Sequence, residues 1–332
     1  MQGGPWEAHF LFTRRGLLAQ LGLIGAGFGA AWTLREQLWV APQLAPEGTA
    51  QTSGWLRIVA PQAAILITEG WIGRERVTVL IDTGAERSVI HAAVADRLGL
   101  EAQAGLPMAA VGLGGGVSFG GRTPFDLTLG SLSLVGLNAT KLDLGPLAQA
   151  GAFAADVVLG RDALSAMVVT LDLPNRRLAL SISSQRPKGL RARFGGSPLT
   201  AEVDLEGRAL RALVDSGASG HLTLSHAKAS EYGLAGRPGR VDQSIVLGGT
   251  VRTKSVPVSS LTVAGRTFED VEVNVLPDQR VPGAPDAIVG LECFRSDLLT
   301  FDLGAGSIVR SASDSGASRT LDVLVAPTVI TQ

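Results

Sequence analysis

The chain has 332 residues, 45% hydrophobic and 18% charged, which supports two domains with buried cores and excludes a largely disordered chain. Its 29 basic and 30 acidic residues nearly cancel, which excludes bulk electrostatic attraction to nucleic acid or to an anionic membrane surface. A single cysteine, Cys293, excludes an internal disulfide. The four histidines (His9, His91, His221 and His226) have no zinc-binding spacing, so neither a metal nor a cofactor is expected. With 42 glycines, few aromatics and short Val/Leu/Ile runs, the pattern is that of an all-β chain rich in turns.

At the N-terminus, Thr13-Arg14-Arg15-Gly16 precedes an apolar run without charge from Leu17 to Trp32. The run has no polar face, which disfavours an amphipathic helix, and it is shorter than the ~20 residues a membrane span needs. The segment resembles a twin-arginine export signal over residues 1–31, either cleaved after Gly29-Ala30-Ala31 or retained as an anchor. That resemblance implies engagement of the twin-arginine translocase and a periplasmic location, or one anchored to the inner membrane and facing the periplasm. Residues 32–54, with Pro, Gly and Thr, read as a linker.

Beyond it the chain repeats itself. The β-branched run Val77–Ile81 feeds Asp82-Thr83-Gly84-Ala85, and Arg211–Val214 feeds Asp215-Ser216-Gly217-Ala218. A Gly-Arg turn precedes each, at Gly73-Arg74 and Gly207-Arg208, and a short helix is predicted after each, ending at Leu98-Gly99-Leu100 and Tyr232-Gly233-Leu234. From the aspartate, the glycine of that tripeptide lies 17 or 18 positions on, and the leucine of Leu113-Gly114-Gly115 or Leu247-Gly248-Gly249 lies 31 or 32 on. The blocks Val158-Leu159-Gly160 and Ile288-Val289-Gly290 end 78 and 75 positions on, and each glycine is followed twelve residues later by an aspartate, Asp172 or Asp302. These landmarks keep the same order and nearly the same spacing, which divides the chain into lobes at 55–183 and 193–312, a linker at 184–192 and a tail at 313–332 with one possible strand.

An isolated Asp-[Ser/Thr]-Gly is a common turn sequence. Here each copy follows a hydrophobic strand and is answered by an apolar-apolar-Gly block. On these residues, and on Val158-Leu159-Gly160-Arg161-Asp162, the chain resembles the retropepsin-like aspartic peptidases, in particular bacterial forms with two lobes in one chain. The resemblance implies two tandem retropepsin-like β-barrel lobes with short helices, paired within one monomer as a pepsin-like pseudo-dimer. It implies that Asp82 and Asp215 form a catalytic dyad acting on a peptide or protein substrate, with Thr83, Gly84, Ser216 and Gly217 in support. Two adjacent carboxyls share one proton, so one can activate water while the other holds the scissile carbonyl. The Gly-rich segments around Leu113, Gly114, Gly115 and Leu247, Gly248, Gly249 are expected to be flaps contacting substrate.

The lobes also differ. Arg161, which the resemblance places near an active-site carboxylate, is matched by Leu291, and Ser88 by His221. Cys293 aligns with Ala163 and reads as a core residue. A third triplet, Asp314-Ser315-Gly316, follows Ser311-Ala312-Ser313 instead of a strand and reads as an exposed turn. The alternatives to an endopeptidase are an envelope module that binds peptide or protein without cleaving it, and a structural envelope protein.

Overall fold

A computed structural model describes residues 42–45, 49–59, 65–103, 108–111, 117–149, 154–184, 198–246, 249–278 and 284–312. Along the first half run strands β1 (Gln43–Leu44), β2 (Thr52–Arg57), β3 (Ile67–Ile72), β4 (Glu75–Ile81) and β5 (Val89–His91), helix α1 (Ala92–Arg97), and strands β6 (Met108–Val111), β7 (Val117–Gly120), β8 (Arg122–Leu129) and β9 (Leu132–Leu142). A 3-10 turn (Gly145–Gln149), β10 (Val157–Leu159), the single-turn helix α2 (Arg161–Leu164), β11 (Met167–Asp172) and β12 (Arg177–Ile182) follow. The second half repeats the series as β13 (Thr200–Leu205), β14 (Arg208–Val214), β15 (Leu222–Leu224), α3 (His226–Glu231), β16 (Arg240–Val246), β17 (Gly249–Val263), β18 (Arg266–Val275) and β19 (Ala287–Val289). A 3-10 turn at Leu291–Phe294, β20 (Asp297–Asp302) and β21 (Ser307–Ala312) complete it.

In the first lobe the pairings run β9–β5–β10–β4–β3–β8 and return to β9, so six strands close on themselves. In the second, β18–β15–β19–β14–β13–β17 returns to β18 in the same way. Closure removes the free edges that would otherwise invite further pairing. Strands on the barrel wall alternate: Thr123, Phe125, Leu127 and Leu129 of β8 face inward and their neighbours outward. By contrast β10 (Val-Val-Leu) and β19 (Ala-Ile-Val) are buried throughout, which is why those blocks read as continuous apolar runs. Helices α1 and α3 end where Gly99 and Gly233 take positive φ (65° and 71°), and the next N–H folds back from Leu100 to Ala95 O and from Leu234 to Ala229 O.

The ends of both repeats leave the barrels and form a shared sheet, β2-β12-β11-β20-β21. Strands β11 and β20 meet antiparallel with Thr170 opposite Thr300, the residues ten positions after Gly160 and Gly290, so the internal two-fold passes through this pair. Asp172 and Asp302 close the following turns by accepting from the N–H of Asn175 (3.3 Å) and Ala305 (3.0 Å). The sequence read as a linker is partly structured: β1 pairs with the outer edge of β9, and Thr52–Gly54 already belong to β2. The unpaired backbone of β9 and β12 supplies the partners that composition does not reveal. The turn before β14 lies at Glu206-Gly207, one residue earlier than the Gly-Arg pattern placed it, because Leu205 pairs with Arg208.

Candidate active site

Each barrel delivers its aspartate by the same device. Strand β4 runs parallel to β10 and places the Asp82 N–H 3.0 Å from Leu159 O. Strand β14 runs parallel to β19 and places the Asp215 N–H 3.0 Å from Val289 O. The apolar-apolar-Gly blocks are therefore the strands that pin the aspartates. Gly160 and Gly290 end those strands where no side chain fits: a Cβ would lie 2.6 Å from Arg87 C and 2.4 Å from Gly220 O.

Past each aspartate the chain folds back on the carboxylate. Gly84 and Ala85 donate their N–H groups to Asp82 Oδ1 (2.8 and 2.9 Å), and Gly217 donates to Asp215 Oδ1 (2.7 Å). The hydroxyl residues then cross the junction. Thr83 Oγ1 accepts from the Ser216 N–H (3.0 Å) and donates to Val214 O (3.0 Å), while Ser216 Oγ accepts from the Thr83 N–H (2.9 Å) and donates to Ile81 O (2.8 Å). Thr83 and Ser216 are both buried, so these four bonds are shielded from competing water. The position needs a hydroxyl because only a group that both donates and accepts can serve a carbonyl and an N–H together.

The two carboxyls are brought face to face. A Cβ on Gly84 would lie 2.5 Å from Asp215 Cγ, and one on Gly217 2.8 Å from Asp82 Cγ. Glycine is required here for close approach of the opposite carboxyl. Burial pushes the Asp215 carboxyl well above its ordinary value; the charge of Asp82 and a hydrogen bond between the two carboxyls push it the same way. The N–H groups of Gly217 and Gly84 oppose that shift in part.

Around this centre lies a network with no simple sequence signature. In lobe 1, Ser88 donates through its N–H (2.9 Å) and Oγ (2.6 Å) to the buried Asp162, and the Ser88 Oγ accepts from the Gly160 N–H (3.1 Å). In lobe 2 the same places hold His221 and Glu292. His221 packs edge-on against Phe268 (5.1 Å between centroids) and burial lowers its pKa, while Glu292 pairs with Arg295 (3.0 Å). Cys293 is buried, its thiol pushed up to about 12 by burial, and its Sγ donates to His221 O (3.4 Å), which makes it a core residue and a poor nucleophile.

Of the expected flap residues, Gly249 opens β17 opposite Val246, in a β16–β17 hairpin that continues the barrel wall. Leu113, Gly114, Gly115, Leu247 and Gly248 lie outside the described residues, as do Arg14, Arg15 and Asp314. In the first lobe the corresponding hairpin, β6–β7, forms a separate two-stranded sheet.

Paired closed barrels that cross-link their Asp-[Thr/Ser]-Gly turns at a common junction define a bilobal protein of retropepsin-like fold. A family model described as aspartyl protease matches residues 68–163 and, separately, 201–293, together more than half of the chain, and the chain belongs to that family. Among curated proteins none matches it.

Proposed function

We propose that this protein is an aspartic endopeptidase in which Asp82 and Asp215 are the catalytic residues. The observation that carries this reading is the position of the two carboxyls, one from each lobe, each close enough to the opposite turn that only glycine fits there. A substrate peptide would lie across the junction with a water between the carboxyls. The charged carboxylate takes a proton from the water as its oxygen attacks the scissile carbonyl, and the protonated carboxyl hydrogen-bonds the carbonyl oxygen. The tetrahedral intermediate collapses when the amide nitrogen receives a proton from the dyad and the C–N bond breaks. No group beyond the two carboxyls and water is needed to balance this reaction.

The setting proposed for this activity is the periplasm, or the periplasmic face of the inner membrane if the N-terminal segment is retained. Support comes from Arg14-Arg15 ahead of an uncharged apolar run. The test of the peptidase reading is cleavage of a peptide library by the purified chain beside Asp82→Asn and Asp215→Asn. Both variants should fall to background. Cleavage that survives either substitution, or a wild-type chain that binds peptides without cutting any, would overturn it.

A further inference from the structure

All five tryptophans of the chain lie within its first 71 residues. Trp6, Trp32 and Trp39 stand around the uncharged apolar run 17–32, whereas Trp55 and Trp71 belong to lobe 1, on β2 and β3. Trp55 is 49% exposed and Trp71 47%, so two of the largest apolar side chains are left half in water. The other exposed large hydrophobics among the described residues are Phe119 and Val241. These sit on the β6–β7 and β16–β17 hairpins, which carry the expected flaps and so have an occupant in the substrate. The two tryptophans are on neither hairpin.

They share one end of lobe 1, beside the β8–β9 turn at Gly130-Ser131. Trp71 lies opposite Thr128, two residues before that turn. Ser53, two residues before Trp55, accepts from the Ser131 N–H (3.1 Å). Strand β1 enters at the same end: Gln43 and Leu44 pair with Val135 and Leu134, and the Ala45 N–H donates to Ser133 O (2.8 Å). Arginines frame the indoles. The Arg177 guanidinium stacks 4.3 Å from the centre of the Trp55 ring, and Arg57 lies opposite Arg177. Arg76 lies opposite Trp71, with Arg74 in the adjoining turn. The acids alongside are engaged in part: Asp172 pairs with Arg177 (2.8 Å), Glu69 with Arg76 (3.2 Å), and Asp126 accepts from the Gly136 N–H (2.7 Å).

We infer that this end of lobe 1 is a docking surface for a phospholipid bilayer, with Trp55 and Trp71 at headgroup level and the neighbouring arginines bonding lipid phosphates. Indoles suit that boundary because the ring is apolar while its N–H can reach a polar partner. The planar guanidinium matches a phosphate with two donors at once. The tether selects a bilayer as the occupant. Ten residues, 33–42, separate Trp32 at the end of the apolar run from β1, and they can span no more than about 35 Å. A chain anchored through that run keeps the β1 end of lobe 1 near the membrane, and both tryptophans lie at that end. The inference rests on the reading that the N-terminal segment is retained as an anchor, and it is independent of the peptidase reading.

The test uses the full chain in vesicles of phosphatidylethanolamine and phosphatidylglycerol. A nitroxide is attached through Ser131→Cys, in the turn beside both tryptophans, or through Val241→Cys, 66% exposed on lobe 2. Cys293 is buried and stays unlabelled. With a water-soluble nickel complex on both sides of the bilayer, its collisions with the label at 131 should be about threefold or more below those at 241. Combining Trp55→Ser with Trp71→Ser should bring the two positions level, while circular dichroism reports whether the fold is kept. Equal collision rates with both tryptophans in place would overturn the inference, whether or not the doubly substituted chain folds. Protection that persists in a folded doubly substituted chain would belong to the tether alone and overturn the docking surface. Protection in native membranes but not in these vesicles would indicate a protein partner and overturn the bilayer as occupant. Cell fractionation judges the location separately: recovery of the chain as a soluble periplasmic protein removes the anchored location, whereas the vesicle measurement decides the surface itself.

Discussion

At the scale of single residues, the two junction glycines carry the sharpest consequence. A methyl group on Gly84 would meet the Asp215 carboxyl at 2.5 Å, and the atom it meets is the end of a side chain that can swing away. Gly84→Ala should therefore fold, because relief comes from moving the carboxyl and not the backbone. Its kcat should drop by roughly a hundredfold or more, the cost of displacing a reacting group by about 1 Å. Circular dichroism and a peptide-cleavage assay on the same preparation check both halves of this expectation; a folded variant with wild-type kcat would contradict it. The aspartates and their hydroxyl neighbours were legible in the sequence because both copies recur in the same frame. The Ser88–Asp162 pair was not, since a serine and an aspartate 74 positions apart carry no local pattern, and lobe 2 fills the same two places with His221 and Glu292.

At the scale of elements, the β13–β14 turn of lobe 2 is tied down by one carboxylate. Glu206, at φ 52°, accepts from Arg237 through both guanidinium nitrogens (3.0 and 2.6 Å) and from the Ser259 N–H and Oγ (3.0 and 3.1 Å). The hydrogen bonds from Arg237, then the Ser259 N–H, lower its pKa from 4.5 to about 2. A depressed carboxylate adds stability in full above its unfolded value and loses it as the pH falls through the folded one. The window here runs from about 4.5 down to about 2. Since the pair is partly exposed, solvent screening holds its contribution to about 1 kcal/mol. Glu206→Gln should thus cost about that much at pH 7, and the difference from wild type should shrink as the pH approaches 2. Urea unfolding at pH 7, 4 and 2.5 provides the check; a constant difference across that range would remove the ion pair as its cause. The strands that lead into the two aspartates were legible from the runs Val77–Ile81 and Arg211–Val214. The pairing of β1 with β9 was not, because an edge strand borrows its partner from elsewhere in the chain.

At the scale of the whole molecule, the junction is built within one chain: Thr83 and Ser216, 133 positions apart, bond across it, and β11 pairs with β20 in the shared sheet. Tethering keeps the partner lobe at high effective concentration, so activity should not depend on association between chains. Specific activity should stay constant on dilution, and mixing Asp82→Asn with Asp215→Asn chains should restore nothing. Recovery on mixing would mean that lobes pair between molecules. Export belongs to the same scale. Changing Arg14 and Arg15 together to Lys should leave precursor in the cytoplasm, as fractionation and immunoblotting would show, and unchanged export would dismiss the twin-arginine reading.

The amino-acid sequence by itself determined the two-lobe plan. An apolar run leading into Asp-[Thr/Ser]-Gly, with an apolar-apolar-Gly block whose glycine lies 75 or 78 positions later, specifies a local hairpin and one buried parallel partner, and it does so twice. Such patterns are short-range or periodic, so they survive as text. Tertiary structure alone decided how the halves meet: which N–H reaches which carboxylate, and that Ser88 meets Asp162 while lobe 2 sets His221 and Glu292 in the same places. These depend on side chains from distant segments arriving within about 3 Å of one another, the distance at which hydrogen bonds and ion pairs act. No spacing along the chain encodes that distance, because closing the barrels and joining them in the shared sheet is what sets it.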